Sequence, residues 1–232
     1  MQYLIIFCLF YYSSNSFAKD IIEPDLNKTY AYSEIIINSP IEEVWEFLSH
    51  DEYARHWSIF FYSIEMCPIS DCPVNTDKLN SDIGYIRRSY RNKNKEGLFW
   101  DEETLSKSMN EKYFYKSIRA FNFHGYGSLG NKAEHLVEQI LIKIDKSKTK
   151  LIFRSSLIDK VQFSTKISSA EYFLIDSFFT YISQPRTSSM FTKNLFNIKE
   201  WIEKKKDYKR VYKYQKYCDT SRWYCTNSLS DL

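Results

Sequence analysis

Residues 29–57 decide the fold, and they read TYAYSEIIINSPIEEVWEFLSHDEYARHW. Thr29 to Asn38 is dominated by β-branched and aromatic residues, so it predicts a strand. A helix start follows, with Ser39 as the N-cap, Pro40 at the first helical position and Glu42 completing a capping box. The sequence therefore predicts a strand that leads directly into a capped helix.

The predicted helix carries a single apolar stripe. Its apolar residues recur at i, i+3, i+4 and i+7, and they are Ile41, Val44, Trp45 and Leu48. We expect this stripe to be buried against a sheet. A second short helix is predicted from Asp51 towards Trp57.

Six more segments have the composition of strands and are separated by turn signals. They run over Ser58 to Glu65, Ile83 to Tyr90, Leu98 to Ser106, Lys112 to Phe121, Glu134 to Asp145 and Lys150 to Asp159. Short strands joined by such turns predict an antiparallel meander.

The last third of the chain has the periodicity of helices. One apolar face comprises Ala170, Phe173, Leu174, Phe178, Tyr181 and Ile182. A second comprises Met190, Phe191, Leu195, Ile198, Trp201 and Ile202. Pro185 lies between them and predicts a break. A long amphipathic helix can cover the concave face of a curved sheet and leave a cavity beneath it, with the first segment as a lid over its mouth.

Several of these segments resemble the START/Bet v1-like (SRPBCC) superfamily, in its polyketide cyclase/dehydrase-like branch. The resemblance lies in the stretch from Tyr30 to Trp57, in Ile83-Gly84-Tyr85-Ile86-Arg87-Arg88, in Trp100-Asp101-Glu102, in Tyr113-Phe114-Tyr115 and in Leu195-Phe196-Asn197-Ile198-Lys199. It covers residues 29–205 and implies an α+β helix-grip fold, in which a curved antiparallel sheet wraps around a long C-terminal helix and encloses a hydrophobic cavity. Residues 206–232 form a basic, cysteine-containing tail outside the resemblance.

The start of the chain differs from the rest. Residues 1–18 carry no charged side chain and include an apolar run from Tyr3 to Tyr12. Small residues at Ser16 and Ala18 fit a cleavage site, so we predict a signal peptide over residues 1–18. The alternatives are an uncleaved amphiphilic anchor and a buried first strand. A cleaved signal predicts an exported protein, periplasmic or secreted.

Cysteine usage agrees with export. Removal of residues 1–18 leaves Cys67, Cys72, Cys218 and Cys225, an even number that predicts two disulfides with three possible pairings. The local pairs Cys67–Cys72 and Cys218–Cys225 are the simplest of the three. A zinc site is less favoured, because the spacings are wide for zinc ligands.

Composition limits the class of function. The chain has 232 residues, of which 44% are hydrophobic and 18% aromatic, with a formal net charge of +3. That charge balance does not favour nucleic acid as a partner, and no interior run reaches the ~18 apolar residues of a spanning helix. No metal motif, nucleophile elbow or phosphate-binding loop occurs, so we expect neither a metal nor a cofactor.

Candidate ligand-binding residues are those that we expect the sheet and helix to turn into the cavity. They are Trp100, Tyr113, Tyr115, Arg154, Phe191, Leu195 and Ile198. Arg154 is suited to hold an anionic head group if it faces the cavity, although an arginine more often faces solvent. Glu102 is the one candidate for acid–base catalysis, which requires a raised pKa. The alternative is an ion pair between Glu102 and Arg87 or Arg88 on the neighbouring strand.

The sequence favours an exported monomer that binds or transports a hydrophobic ligand such as a lipid. One alternative is a polyketide cyclase/dehydrase-like or hydrolase-like enzyme. Another is an interaction protein whose cavity is filled by its own aromatic side chains. The stretch from Lys204 to Lys216 is rich in Lys and Arg. It predicts contact with an anionic membrane surface, unless it is only a solvated helix end.

Overall fold

The computed structural model describes residues 28, 30–73, 82–159 and 167–204. These residues contain seven strands, and all seven predicted strands are confirmed with shifted ends. The strands are β1 (Ala31–Ile37), β2 (Ser63–Met66), β3 (Ile86–Tyr90), β4 (Phe99–Met109), β5 (Tyr113–His124), β6 (His135–Lys143) and β7 (Thr149–Leu157). They form one antiparallel sheet in the order β1-β7-β6-β5-β4-β3-β2.

Two helices carry the chain from one edge of the sheet to the other. β1 and β2 lie at opposite edges, and the chain between them forms α1 (Ile41–Ser49) and α2 (Asp51–Trp57). The apolar stripe predicted for α1 is buried, as is Phe47 beside it. Trp45 packs edge-on against Phe114 of β5, with ring centroids 5.5 Å apart. Burial of this stripe fixes α1 on the sheet.

The capping box predicted at the start of α1 is wrong. Pro40 is itself the N-cap residue, with an extended backbone at φ −56° and ψ 149°, and the helix begins at Ile41. Ser39 therefore lies one residue too early to reach the first backbone N–H groups. Its hydroxyl donates instead to the carboxylate of Glu43. Two acidic residues in the first turn, Glu42 and Glu43, still suit the positive end of the helix dipole.

The C-terminal helix runs without a break from Ser169 to Lys204, so the break predicted at Pro185 is wrong. It follows a short helix between β5 and β6, α3 (Gly127–Gly130), and consists of α4 (Ser169–Phe178), a π-helical segment (Phe179–Ser183) and α5 (Gln184–Lys204). Proline lacks an N–H group, and its ring clashes with the carbonyl group of the preceding α-helical turn. The wider π turn directly before Pro185 relieves both constraints. We call the whole element, residues 169–204, the C-terminal helix.

The start of this helix has the capping box that α1 lacks. The Ser168 hydroxyl accepts from the Glu171 N–H group at 3.2 Å, and the Glu171 carboxylate accepts from the Ser168 N–H group at 2.9 Å. Such a cap satisfies two backbone donors that a helix end leaves without partners.

The two faces of the sheet have different neighbours. The C-terminal helix packs along β1 and β7. The Ser33 and Thr192 hydroxyls lie 2.9 Å apart, and the Phe153 and Phe191 rings are 5.8 Å apart. We call this face of the sheet the inner face and the opposite one the outer face. The hydrophobic core lies between the inner face and the helices. Within the described ranges, no helix is long and apolar enough to cross a membrane.

Candidate functional site beneath the C-terminal helix

A buried ion triad occupies the inner face near β3 and β4. The Arg87 guanidinium pairs with the Asp51 carboxylate and with the Glu102 carboxylate, where Nη2 and Oε2 are 2.7 Å apart. Arg87 and Glu102 are opposite each other in the sheet register, whereas Asp51 comes from the start of α2. Burial alone would lower the pKa of Arg87, but the two carboxylates raise it overall. Arg87 is therefore a permanent, fully paired cation.

Glu102 is held in its ionised form. Besides Arg87, it accepts from the Trp100 indole N–H at 2.7 Å and from the Ser89 hydroxyl at 3.2 Å. Burial raises the pKa of Glu102, but Arg87 and these hydrogen bonds lower it by more, so the net shift is downward. A general acid needs the opposite shift. These contacts are those of the ion pair that the sequence offered as the alternative to catalysis.

Lys116 lies in the middle of the inner face. Its side chain is only 3% exposed, and burial lowers its pKa to about 7. The charges that act on it belong to Arg87, Asp51, Glu102 and Lys107. None of the described residues lies within hydrogen-bond or ion-pair distance of its amine. A buried lysine in this state holds a proton that is easily lost or regained near neutral pH.

Two more polar groups on this face lack partners. Gln139 of β6 is directly opposite Lys116 and also opposite Phe153 of β7. The side chain of Trp57, at the end of α2, packs against Phe153 with ring centroids 5.8 Å apart. The Gln139 Oε1 and Trp57 Nε1 atoms are buried and have no hydrogen-bond partner. Because buried polar groups are almost always hydrogen-bonded, the Gln139 and Trp57 atoms each leave one hydrogen bond to be made by a group other than the described residues.

Aromatic side chains line the inner face beyond these polar groups. The Trp100 ring lies 6.0 Å from that of Phe61 and 6.1 Å from that of Phe123. His135 continues the series, at 5.4 Å from Phe123 and 5.4 Å from Phe179 of the π-helical segment. Burial lowers the pKa of His135 to about 4, so its imidazole is neutral at physiological pH. This aromatic row is an apolar wall that leads from the polar groups to the first part of the C-terminal helix.

Two buried asparagines of α5 hold the loop that follows α2. Asn194 Oδ1 accepts from the Ile59 N–H group at 2.8 Å, and Asn197 Nδ2 donates to the Trp57 carbonyl oxygen at 3.0 Å. Both bonds are buried, and they fix Trp57 relative to the helix. Sequence reasoning missed these residues. The available signal was two amides three residues apart on the same apolar face as Leu195 and Ile198.

Four of the predicted ligand-binding residues come together on the inner side. Trp100 is on the inner face of β4, and Phe191, Leu195 and Ile198 are buried on α5 above the sheet. Phe191 contacts both Phe60 and Phe153, at ring distances of 5.6 and 5.8 Å. These four predicted residues therefore lie together on the helix-covered side of the sheet.

The other three predicted residues lie on the outer face, away from the helix. Side chains alternate along a strand, so Tyr113 and Tyr115 face away from Phe114, which is inner. The Tyr115 hydroxyl donates to Glu138 at 2.9 Å, and Arg154 Nη2 donates to the same carboxylate at 2.9 Å. Arg154 is thus neither in the helix-facing group nor exposed to solvent. It is a buried partner of Glu138 on the outer face.

The apolar face predicted for residues 170–182 is not the one that packs. Ile175 and Phe179 are the buried side chains of this part of the helix. The predicted stripe is exposed instead, and Phe173 and Tyr181 expose 68% and 80% of their surface. Its large exposed residues are Phe173, Leu174, Phe178, Tyr181 and Ile182. This part of the helix therefore has two apolar sides, of which only one contacts the sheet.

The disulfide predicted between Cys67 and Cys72 is confirmed. The two sulfurs and a carboxylate oxygen of Asp101 lie within 4.8 Å of one another. Because the sulfurs are bonded to each other, they are not thiolates that could ligate a metal. Cys218, Cys225, the predicted signal peptide and the basic tail lie outside the described residues.

Comparison with known proteins concerns the fold alone. No family model and no curated protein matches the sequence. A hypothetical protein from Helicobacter pylori superposes with a TM-score of 0.54 at 10% identity, over 79% of this chain and 92% of that one. The Zhui aromatase/cyclase of a Streptomyces species gives 0.50 at 12% identity, over 76% and 94%. A protein from Mesorhizobium loti gives 0.50 at 12%, over 77% and 98%.

The chain has the helix-grip fold. This is the fold of the START/Bet v1-like (SRPBCC) superfamily, as the resemblance implied. In this helix-grip chain the sheet, α1, α2 and the C-terminal helix surround the polar groups of the inner face.

Proposed function

We propose that this helix-grip chain binds a hydrophobic small molecule, such as a lipid, between the inner face of its sheet and the C-terminal helix. One observation carries the proposal. The Gln139 Oε1 and Trp57 Nε1 atoms are buried without a partner among the described residues, Lys116 is buried without a direct ion pair, and aromatic side chains of the inner face lie beside them. Ligand sites have this composition, with an apolar lining and a few polar groups that fix orientation.

The apolar part of the ligand has a matching surface. Trp100, Phe114 and Phe153 present it from the sheet, and Phe191 and Leu195 present it from α5. Each Å² of apolar ligand surface removed from water contributes about 25 cal/mol to binding. A long apolar chain is therefore the part of the ligand that supplies most of the affinity.

We propose that the first part of the C-terminal helix is a lid. Its buried side chains among the described residues are Ile175 and Phe179, of which Phe179 contacts His135 of the aromatic wall, and it is joined to α5 by the π-helical segment. Single π turns inside α-helices frequently occur at functional sites. Opening at Phe179–Ser183 would expose the wall while α5 stays in place on β1 and β7.

Export of the protein is a further part of the proposal. The Cys67–Cys72 disulfide supports it, because disulfides persist in oxidising compartments. The signal peptide, the monomeric state and contact of the basic tail with an anionic membrane stay predictions.

Binding is favoured over catalysis by the state of Glu102. The Streptomyces protein of the same fold is called an aromatase/cyclase, so a cyclase-like enzyme is the second candidate. Acid–base catalysis by Glu102 would require its release from Arg87, Trp100 and Ser89 together. An interaction protein with a filled interior is the third candidate, and it predicts that no small molecule enters.

Native mass spectrometry of freshly purified protein tests the proposal. We expect a population that carries a non-covalent mass of a few hundred daltons, which is released on collisional activation and is extracted by organic solvent. Only the bare protein mass, before and after incubation with a panel of lipids, would favour the interaction protein. Turnover of the released compound would favour the enzyme.

A further inference from the structure

Among the described residues, Lys116 is a buried charged group of the inner face that makes no ion pair of its own. Arg87 shares its charge with Asp51 and Glu102 through close contacts. The largest charge effect on Lys116 comes from Arg87, which has the same sign. Its cross-strand neighbour is Gln139, whose Oε1 atom is also without a partner. The protein thus buries this basic group without a direct ion pair, because Asp51 and Glu102 act on it only from a distance and are themselves paired with Arg87.

We infer that the ligand is a hydrophobic acid, and that Lys116 binds its carboxylate while the apolar chain lies along the aromatic wall. This rests on the proposed function and names the ligand class. A lysine ammonium offers three donors and no acceptor, so an anionic oxygen satisfies it fully. A hydroxyl head group would leave the buried charge uncompensated, which is costly in an apolar environment.

The other two polar groups fit the same head group. The Trp57 indole N–H is a donor only, so it suits an acceptor such as the second carboxylate oxygen. Phe153 is opposite Gln139 in the sheet register, and its ring contacts that of Trp57. The Gln139 amide can present either its oxygen or its nitrogen, since the two are interchanged by a flip. In the proposed complex Lys116 binds the carboxylate, and Gln139 and Trp57 complete the hydrogen bonds of the head group.

The ion triad does not compete with Lys116 for the ligand. The Arg87 Nε and Nη2 atoms are engaged by Glu102, and Nη1 is engaged by Asp51. A carboxylate that reached Arg87 would have to displace a buried carboxylate already in place. Lys116 is thus a buried cation that this face leaves available, whereas Lys107, opposite it on β4, is exposed and lies over the Trp45 ring.

Displacement of a neutral fluorescent probe, N-phenyl-1-naphthylamine, tests the inference. Dodecanoic acid and dodecanol have the same apolar chain and differ in the head group. At pH 7 the acid should displace the probe from the native protein at a concentration at least about tenfold lower than the alcohol, which is ~1.4 kcal/mol of preference. In Lys116→Met the two should agree within about twofold, once each is corrected for the probe affinity measured in that variant. Lys112→Met, an exposed lysine next to the same strand, should keep the native preference.

A pH series on the native protein gives a second test that needs no variant. The acid binds the charged form of Lys116, whose pKa burial lowers to about 7. Arg87, Asp51, Glu102 and Lys107 are the charged groups around it. The affinity for dodecanoic acid should therefore fall towards tenfold per pH unit between pH 8 and pH 10, whereas the affinity for dodecanol should stay constant.

The outcomes separate the two proposals. Equal affinities for acid and alcohol in the native protein, or an acid preference that survives in Lys116→Met, overturn the inference and leave hydrophobic binding intact. Failure of the probe and of both dodecyl compounds to bind the native protein overturns the proposed function itself.

Discussion

Lys116 and Gln139 lie directly opposite each other on β5 and β6, with both side chains on the face that the helices cover. The Gln139 Oε1 atom is buried without a hydrogen-bond partner among the described residues, and burial and charges at a distance, not a hydrogen bond, act on the Lys116 amine. A sheet built only for stability would place apolar side chains at this central pair. The pair is thus better explained by recognition than by packing.

Replacing Lys116 by methionine is expected to stabilise the fold at pH 6. Burial lowers the pKa of Lys116 to about 7, whereas an unfolded lysine has a pKa of ~10.4. Below pH 7 the lysine is charged in both states, so the folded state carries the full cost of a buried ammonium. That cost fades as the pH rises from 7 to about 10. Lys116→Met should raise the free energy of unfolding at pH 6 by roughly 1–4 kcal/mol.

Urea unfolding at pH 6 and pH 10 measures this change. The gain should be large at pH 6 and much smaller at pH 10, and Lys112→Met should show neither effect. A variant that is less stable than the native protein at pH 6 would mean that the ammonium group is satisfied in the fold.

His135 should make the protein sensitive to mild acid. Burial lowers the pKa of His135 to about 4, against ~6.5 in the unfolded chain. Between these values the unfolded state binds the additional proton, so the free energy of unfolding falls as the pH falls from 6.5 to 4. His135→Phe should reduce this fall. Denaturant midpoints at pH 4.5 and pH 7.5, with the exposed His124→Gln as the control, test it. Equal pH dependence in His135→Phe and native protein would contradict the assignment.

The Arg87–Glu102 pair should be coupled in stability. Removing one partner leaves a buried charge without compensation, so Arg87→Met and Glu102→Gln should each cost about 3–5 kcal/mol. The double variant should cost clearly less than the two costs added together. A double-mutant cycle by chemical denaturation measures the coupling. Additive costs would show that the two side chains act independently.

The two buried asparagines of α5 should position Trp57. Asn197→Ala removes the donor to the Trp57 carbonyl oxygen, and Asn194→Ala removes the acceptor for the Ile59 N–H group. Each should cost about 1–3 kcal/mol of stability, because a buried backbone group loses its partner. Each should also broaden the Trp57 signal in NMR spectra, whereas Asn38→Ala, an exposed control, should change neither. An unchanged Trp57 environment in both variants would refute this role.

The sheet could be predicted from the sequence because its information is local. Alternating side chains and turn residues mark each strand, and all seven strands were found by these signals. The predicted α1 stripe was correct for the same reason, since Ile41, Val44, Trp45 and Leu48 recur with the period of a helix. The fold then follows from the order of the elements and from the resemblance.

The errors concern geometry that the sequence does not specify locally. The Ser-Pro sequence at 39–40 fits a helix start at either residue, and the backbone of Pro40 selects the later one. A proline at position 185 predicts the end of a helix, but the π turn before it allows the helix to continue. The periodicity at 170–182 identifies an apolar stripe but does not show which side meets the sheet, where Ile175 and Phe179 pack instead.

The candidate site could be predicted only in part. Trp100, Phe191, Leu195 and Ile198 followed from apolar periodicity. Tyr113, Tyr115 and Arg154 lie on the outer face, because the register of the strands decides which side is covered. Lys116 follows Phe114 by two residues, so its inner position was readable. Its burial without a counter-ion depends on α2, β3 and β4, which lie far away in the chain.

Saturable binding of N-phenyl-1-naphthylamine tests the central claim most directly, in the native protein and two matched variants. Ser155 is buried on the inner face opposite Val137, and Ser117 is buried on the outer face, 2.6 Å from the Ser106 hydroxyl. Both Ser→Leu changes add the same volume, and circular dichroism verifies the fold of each. We predict one site of micromolar affinity in the native protein and in Ser117→Leu, and affinity at least about tenfold weaker in Ser155→Leu. Non-saturable binding to the native protein, or equal affinity in all three proteins, would contradict a ligand site between the sheet and the C-terminal helix.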